Sequence, residues 1–231
     1  LETESLADKA AEFKTTNNDD TIGWIRIPNT NVDYPVVYKA GVENYAYYES
    51  KGYDKQYSKD GVIWADYECT FPELSQNTTL YGHNWHNIYT PRTQANMQAN
   101  DLMFSLVMSY NYTDFAQENP FIYFSTTEQD YVFQVFASYY TDLNFGYNYA
   151  QMSQEDFQKV IAEAKAKSLS NYNVPVTSED KIVTLSTCTR VHGNTNNQRF
   201  VVMAKLVPVG TPSTTISTHS NPIAYNSSID A

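Results

Sequence analysis

Short runs of aliphatic and aromatic residues, separated by Asn-, Asp-, Gly- and Pro-rich breaks, recur along the chain. Such runs read as strands. Trp24 to Ile27 and Tyr34 to Val37 form one pair, joined by a turn through Pro28-Asn29-Thr30-Asn31. Val62 to Tyr67 and Thr78 to Tyr81 are two more. Phe121 to Ser125 and Tyr131 to Thr141 predict a hairpin that turns at Glu128-Gln129-Asp130. Two further runs, Lys181 to Cys188 and Arg199 to Val207, flank a polar loop over 191–198. Helical spacing occurs in three places. Leu6, Ala10 and Phe13 follow a capping box at Ser5-Leu6-Ala7-Asp8. Leu102, Leu106 and Tyr110 predict a helix over 102–110. Ser153 to Leu169 has a capping sequence, Ser153-Gln154-Glu155-Asp156, and an apolar stripe of Phe157, Val160, Ile161 and Ala164 suited to packing. Residues 41–60 and 84–100 show no period. Many short strands and few helices predict an all-β barrel with helical decoration. The division expected is a helical segment at 1–20, one domain at 21–208, and a polar Pro/Gly/Ser/Thr-rich tail at 209–231.

At 231 residues the chain can bury a full core. Its 20 Tyr, 11 Phe and 3 Trp suit a pleated sheet surface. Fifteen basic against 26 acidic residues give a net charge of −11, which argues against nucleic acid as a partner, since phosphate binding needs clustered cations. No stretch approaches the roughly 20 apolar residues that span a bilayer, and no signal peptide is visible.

The chemistry concentrates where strands end. Cys188 closes the run Lys181-Ile182-Val183-Thr184-Leu185-Ser186-Thr187-Cys188, and Arg199 opens the next strand. A loop and a return strand would bring the guanidinium beside the thiol, and a cation there favours the nucleophilic thiolate. Tyr81-Gly82-His83-Asn84 ends another strand and supplies an imidazole for acid–base work. The second cysteine, Cys69, has acidic neighbours at Asp66 and Glu68 that would raise a thiol pKa, so it reads as a bystander. A Cys69–Cys188 disulfide is the alternative for an exported chain.

Thr184-Leu185-Ser186-Thr187-Cys188, an arginine opening the strand Arg199–Val207, and the upstream Leu80-Tyr81-Gly82-His83-Asn84 together resemble the sortases, cysteine transpeptidases of Gram-positive cell surfaces. The stretch 23–37 resembles that family's first two strands. The run from Asp60 to Phe71, followed by 78–85, is most similar to class B. The resemblance covers about Ile22 to Val207. It implies an eight-stranded sortase-type barrel, with an N-terminal helix and a helix in the connection before the cysteine strand. It implies that Cys188 is the nucleophile, His83 the acid and base, and Arg199 the holder of substrate backbone and oxyanion. The implied reaction cleaves a C-terminal sorting signal after Thr, forms a thioacyl-enzyme, and passes the protein to an amine of the cell-wall cross-bridge. A class B-type pilin polymerase, using a pilin lysine as the amine, is the alternative. Asn44, Tyr48, Ser186 and Thr187 are the implied substrate contacts, and Tyr48 stands where the family more often has Leu. The Ser153–Leu169 helix and Asn171-Tyr172 are expected to wall the groove. No cofactor or metal is implied. The expected partners are surface proteins or pilins bearing a sorting signal, together with the acceptor amine. The family's N-terminal membrane anchor would place the domain on the outer face of the membrane, with this chain as its ectodomain.

Three other readings compete. His83-x-x-His86 with Cys188-x-x-x-His192 supplies zinc-type ligands, but the histidine pair falls in a predicted loop and Arg199 would repel a dication. A non-enzymatic Tyr-rich binding module fits the aromatic content and leaves the ordered His, Cys and Arg unexplained. A papain-like hydrolase would place its cysteine first in the chain and on a helix, the reverse of the order here. One oddity lies in the tail: Asn221-Pro222-Ile223-Ala224-Tyr225-Asn226 begins like a class B sorting signal but lacks the Thr. A chance match is the favoured reading; the sharper one seats the tail in its own groove or a neighbour's.

Overall fold

The computed structural model describes residues 4–225. Helix α1 (Leu6–Thr16) starts at Ser5, whose side chain accepts from the Asp8 amide, and buries Leu6, Ala7 and Ala10. Strands β1 (Thr21–Arg26) and β2 (Asp33–Val37) follow, then β3 (Ile63–Ala65) and β4 (Asn77–Tyr81). Helix α2 (Thr113–Glu118) precedes the hairpin of β5 (Phe121–Thr126) and β6 (Asp130–Asp142). Helix α3 (Gln154–Lys167) leads through β7 (Ser170–Asn171) to β8 (Ile182–Cys188) and β9 (Gln198–Val207), and β10 (Ser217–Thr218) comes last.

Eight strands close into a barrel in the order β1-β2-β3-β4-β8-β9-β6-β5. Closure leaves no unpaired sheet edge among them. The pairs β2–β3 and β4–β8 are parallel, so the chain between β2 and β3 returns along the barrel to the end where β2 began, and the remaining neighbours are antiparallel. Ile25, Val36, Leu80, Phe124, Phe133, Val183, Leu185 and Val202 are fully buried and form the centre of one core. The all-β barrel with few helices expected from the pattern is found, with the eight strands that the resemblance implied.

Several boundaries shift for local reasons. The third strand stops at Ala65, because Asp66 turns the chain: its carboxylate accepts from the Glu68 amide at 2.9 Å and its carbonyl from the Cys69 amide at 3.0 Å. The helix expected over 102–110 is instead a 3-10 helix, Ser105–Asn111. Met103 sits at φ 52°, which a regular α-helix through Leu102 does not allow. Helix α2, too short to carry a period, had no signal in the sequence. Helix α3 begins after its Ser153 cap and packs Phe157, Ile161 and Ala164 inward as the stripe implied.

Tyr48 corrects an expectation. It is 2% exposed and belongs to a small second core with Val37 and Val62 rather than to a substrate surface. Its hydroxyl donates to Asp20 at 2.6 Å, and the Asn18 amide donates to it at 3.2 Å. Lys39 and Lys55 also reach Asp20, at 3.0 and 3.1 Å. Burial works against the Asp20 charge, but the bonds from Tyr48, Lys39 and Lys55 outweigh it and hold the carboxyl below its ordinary 3.8. A carboxyl lowered in the folded state lends stability above its unfolded pKa and loses it as pH falls through the folded one. Asp20→Asn should therefore destabilise by about 1–3 kcal/mol near neutral pH. The deficit should shrink as pH drops below 3.8, and urea midpoints across that range check it.

Candidate active site

The register of three strands assembles the site. Cys188 on β8 pairs directly with Arg199 on β9, while Tyr81 on β4 pairs with Ser186 on β8. Directly opposed residues place their Cβ atoms about 5 Å apart on one face. Because side chains alternate, Ser186 shares a face with Cys188, and Tyr81 with His83. The Gly82 amide continues the ladder to the Ser186 carbonyl at 3.4 Å, carrying His83 to the end of the sheet that Cys188 occupies. A side chain at position 82 is excluded: a Cβ there would lie 2.6 Å from both Ile63 and Phe104. Thr187 secures the same turn, its hydroxyl donating to the Gly82 carbonyl at 2.7 Å.

His83 is held on several sides. Its ring stacks on Trp85, with centroids 5.1 Å apart at 30°, and lies tilted against Trp64 at 5.6 Å. Gly61, at φ 65°, presses close enough that a Cβ would be 2.8 Å from the imidazole Cδ2. Nε2 meets the Glu49 carbonyl at 2.5 Å. A carbonyl oxygen only accepts, so Nε2 carries the proton and Nδ1 is left to exchange one. Arg199 is anchored as well, Nη1 donating to the carbonyls of Asn196 and Gln198 at 2.9 Å each.

His83, Cys188 and Arg199 share a groove of about 370 Å³ with Ser186, Thr187 and Tyr147. Tyr45, Glu49, Leu143 and Asn148 also line it. The hydroxyl of Tyr147 shares a hydrogen bond with Ser186 Oγ at 2.8 Å. Burial pushes the Tyr147 phenol above its usual range; the Ser186 bond and the Arg199 charge oppose this, and Cys188 adds to it. Further along, Tyr81 donates to Asp66 at 2.7 Å and accepts from Asn148 at 2.9 Å. Burial raises the Asp66 carboxyl, against the bonds from the Glu68 amide and Tyr81. A second cavity of about 330 Å³ shares Glu49, His83, Cys188 and Arg199, and is otherwise walled by Asn84, Trp85, Ile88, Thr189, Arg190, Thr195 and Asn196. Two chambers thus meet at one thiol.

The structure brings His83, Cys188, Arg199, Ser186 and Thr187 together and sets two other candidates apart. Tyr48 is core, as above. Asn44 ends a 3-10 turn and bonds the Ala40 carbonyl at 2.7 Å, and the next residue, Tyr45, reaches the groove. The wall comes from Leu143, Tyr147 and Asn148 rather than from α3 or Asn171-Tyr172. Tyr172 is 2% exposed and bonds Ser138. Sequence reasoning missed Tyr147, Glu49, Trp64, Trp85 and Asp66. Period-two alternation could have found Tyr81, two residues before His83, but nothing marks Tyr147 in an irregular loop.

Both cysteines are free thiols. Cys69 is 2% exposed, and burial, with smaller contributions from Asp66 and Glu68, pushes its thiol up to about 12. Among the described residues no three of His, Cys, Asp and Glu converge to hold a metal, and no helix is long and apolar enough to cross a membrane.

Fold and groove define a closed-barrel protein with a cysteine-centred cleft. The family model described as the sortase domain matches residues 25–207. Sortase B of Staphylococcus aureus is 31% identical over 193 residues, covering 83% of this chain and 72% of that protein. Sortase B of Listeria monocytogenes is 29% identical over 191 residues, covering 82% and 71%. A solved Staphylococcus aureus sortase B–substrate complex superimposes with a TM-score of 0.72 at 28% identity, covering 90% of this chain and 88% of that one. The chain belongs to the sortase family, whose members are cysteine transpeptidases, and its relatives are of class B.

Iodoacetamide should modify Cys188 and leave Cys69 unlabelled until the chain unfolds, since only the former meets solvent in a groove. Peptide mapping by mass spectrometry reads this directly. Labelling of native Cys69 at a comparable rate would contradict the burial described.

Proposed function

We propose that the enzyme cleaves a C-terminal sorting signal after Thr and transfers the released acyl group to an amine of the cell-wall cross-bridge. The observation that carries this reading is the convergence of Cys188, His83 and Arg199 on one groove at the end of β4, β8 and β9. The signal lies in the 370 Å³ chamber, over Ser186 and Thr187 and against Tyr45 and Tyr147. The Cys188 thiolate attacks the Thr carbonyl carbon, and the carbonyl electrons move to oxygen. Arg199, a permanent cation with fixed donor geometry, stabilises that oxyanion. Collapse breaks the C–N bond while His83 gives a proton to the departing amine, leaving a thioester on Cys188. The acceptor amine enters through the 330 Å³ chamber, surrenders a proton to His83 and displaces the thiol. Partners are therefore surface proteins carrying the signal and the peptidoglycan amine, met at the outer face of a Gram-positive membrane. The sources of both curated relatives agree with that setting.

The test is cleavage of quenched fluorescent peptides of the Asn-Pro-x-Thr-Asn, Leu-Pro-x-Thr-Gly and Pro-Pro-x-Thr-Gly types, with and without added amine. The class B likeness leads us to expect turnover of the first type, abolished by Cys188→Ala. Arg199→Lys should lower kcat by roughly 10²–10³-fold, because a point charge does not replace the fork. Cleavage that survives Cys188→Ala would overturn the mechanism.

A further inference from the structure

The residues after Val207 lie beyond the family match, yet they run back over the domain to the active-site end. The Pro212 carbonyl accepts from Gln134 at 3.3 Å, and the Thr215 carbonyl from Asn173 at 2.8 Å. The Ile216 amide donates to Gln117 at 2.9 Å, and its side chain is 6% exposed. Ser217 and Thr218 form β10 against β7. The His219 amide reaches the Leu169 carbonyl at 3.0 Å, and the Ile223 amide the Ala166 carbonyl at 2.9 Å. This strap finishes on Tyr225, whose ring stacks flat on His192 with centroids 4.6 Å apart at 13°. Among the described residues, none of 208–225 lines the groove of Cys188, and Asn226, the last residue of the run that begins like a sorting signal, lies outside the described residues.

His192 belongs to the loop that joins Cys188 to Arg199. Tyr140 of β6 meets the same imidazole edge-on at 4.8 Å, so the ring is gripped by the barrel and by the strap. The His192 amide donates to Gln198 Oε1 at 3.1 Å, and Gln198 Nε2 donates to the Gly193 carbonyl at 2.6 Å and to Thr195 at 2.8 Å. Asn196, in the same loop, supplies one of the two carbonyls that hold the Arg199 guanidinium. A path of direct contacts therefore runs from Tyr225 through His192 and Gln198 to the arginine.

We propose that the C-terminal strap is a positioning element of the transpeptidase, with Tyr225 holding the β8–β9 loop in the form that aims Arg199 at Cys188. The proposal rests on the roles given above to Cys188 and Arg199. It makes Tyr225 a positioning residue: the contact acts through the loop and touches no substrate. The peptide groove is lined by other segments, so loosening the loop should spare KM and lower kcat.

The experiment compares the full chain with Tyr225→Ala and Tyr225→Phe. The upstream anchors at Ile216, β10 and His219 remain in both variants. Three quantities are read: hydrogen exchange of 189–197, the ratio of Cys188 alkylation rates by iodoacetate and iodoacetamide, and peptide cleavage. The anionic reagent is favoured by a cation beside the thiolate, so the ratio reports Arg199 without any peptide substrate. In Tyr225→Ala the loop should exchange faster, the ratio should fall, and kcat should drop roughly two- to tenfold, the range expected for one lost aromatic stack. Tyr225→Phe should restore all three. Unchanged loop exchange in Tyr225→Ala overturns the proposal. Faster exchange with an unchanged alkylation ratio overturns it as well. A wild-type chain that cleaves no peptide would instead count against the proposed function, while exchange and alkylation still decide the role of the strap.

Discussion

Everything at the catalytic end depends on the register in which β8 pairs with β4 on one side and β9 on the other. The antiparallel ladder opposes Cys188 to Arg199, and the parallel one opposes Ser186 to Tyr81, so that His83 falls beside the thiol. A slip of one residue would turn Cys188 into the barrel and a leucine-type position out to solvent. The buried faces of these strands prevent that slip: Val183, Leu185 and Val202 are fully enclosed, and reversing them would cost several kcal/mol of apolar burial. Core packing therefore sets the geometry of the groove, and Tyr147 belongs both to the core and to the groove lining.

The polar parts of the site are pre-aimed by groups already bonded. Glu49 offers His83 a carbonyl rather than a carboxylate, which selects the proton on Nε2 and adds no formal charge at that atom. That carbonyl sits on the irregular segment 41–60, which would be loose without Tyr48, buried beneath it and tied to Asn18 and Asp20. The family position at Tyr48 thus matters here through support of the loop. A larger side chain with a hydroxyl can do this only because Asn18 and Asp20 complete its bonding, with two lysines balancing the Asp20 carboxylate.

How far the sequence could be read follows from the range of each interaction. Strand pairs such as 121–126 with 130–142 announce themselves through local alternation and a turn, and the cap at Ser153 through a single side chain. The trio His83, Cys188 and Arg199 was legible because each stands at a strand end inside a recognisable run. Tyr147 was not: it enters from an irregular loop, and its contact with Ser186 spans 39 positions. Tyr48 misled for a related reason, since its exposure depends on whether Asp20 and Lys55 fold back over it, which no local pattern records. The strap was invisible in composition because its anchors are mainly backbone groups, and polar Ser/Thr sequence says nothing about those.

Both flanking segments brace loops whose carbonyls orient His83 and Arg199. On one side the turn after α1, through Asn18 and Asp20, fixes the segment whose Glu49 carbonyl orients His83. On the other the strap fixes the loop whose Asn196 carbonyl orients Arg199. Cys188 needs neither brace, because it is the last residue of a strand paired on both sides. A barrel sets the position of a strand end well, but it leaves the torsions of a long arginine and a histidine ring free. Those torsions are fixed here by carbonyls borrowed from loops, and the loops are in turn fixed by segments outside the barrel. The division explains why the thiol could be found from one strand alone, whereas the orientation of its two partners is a property of the whole fold.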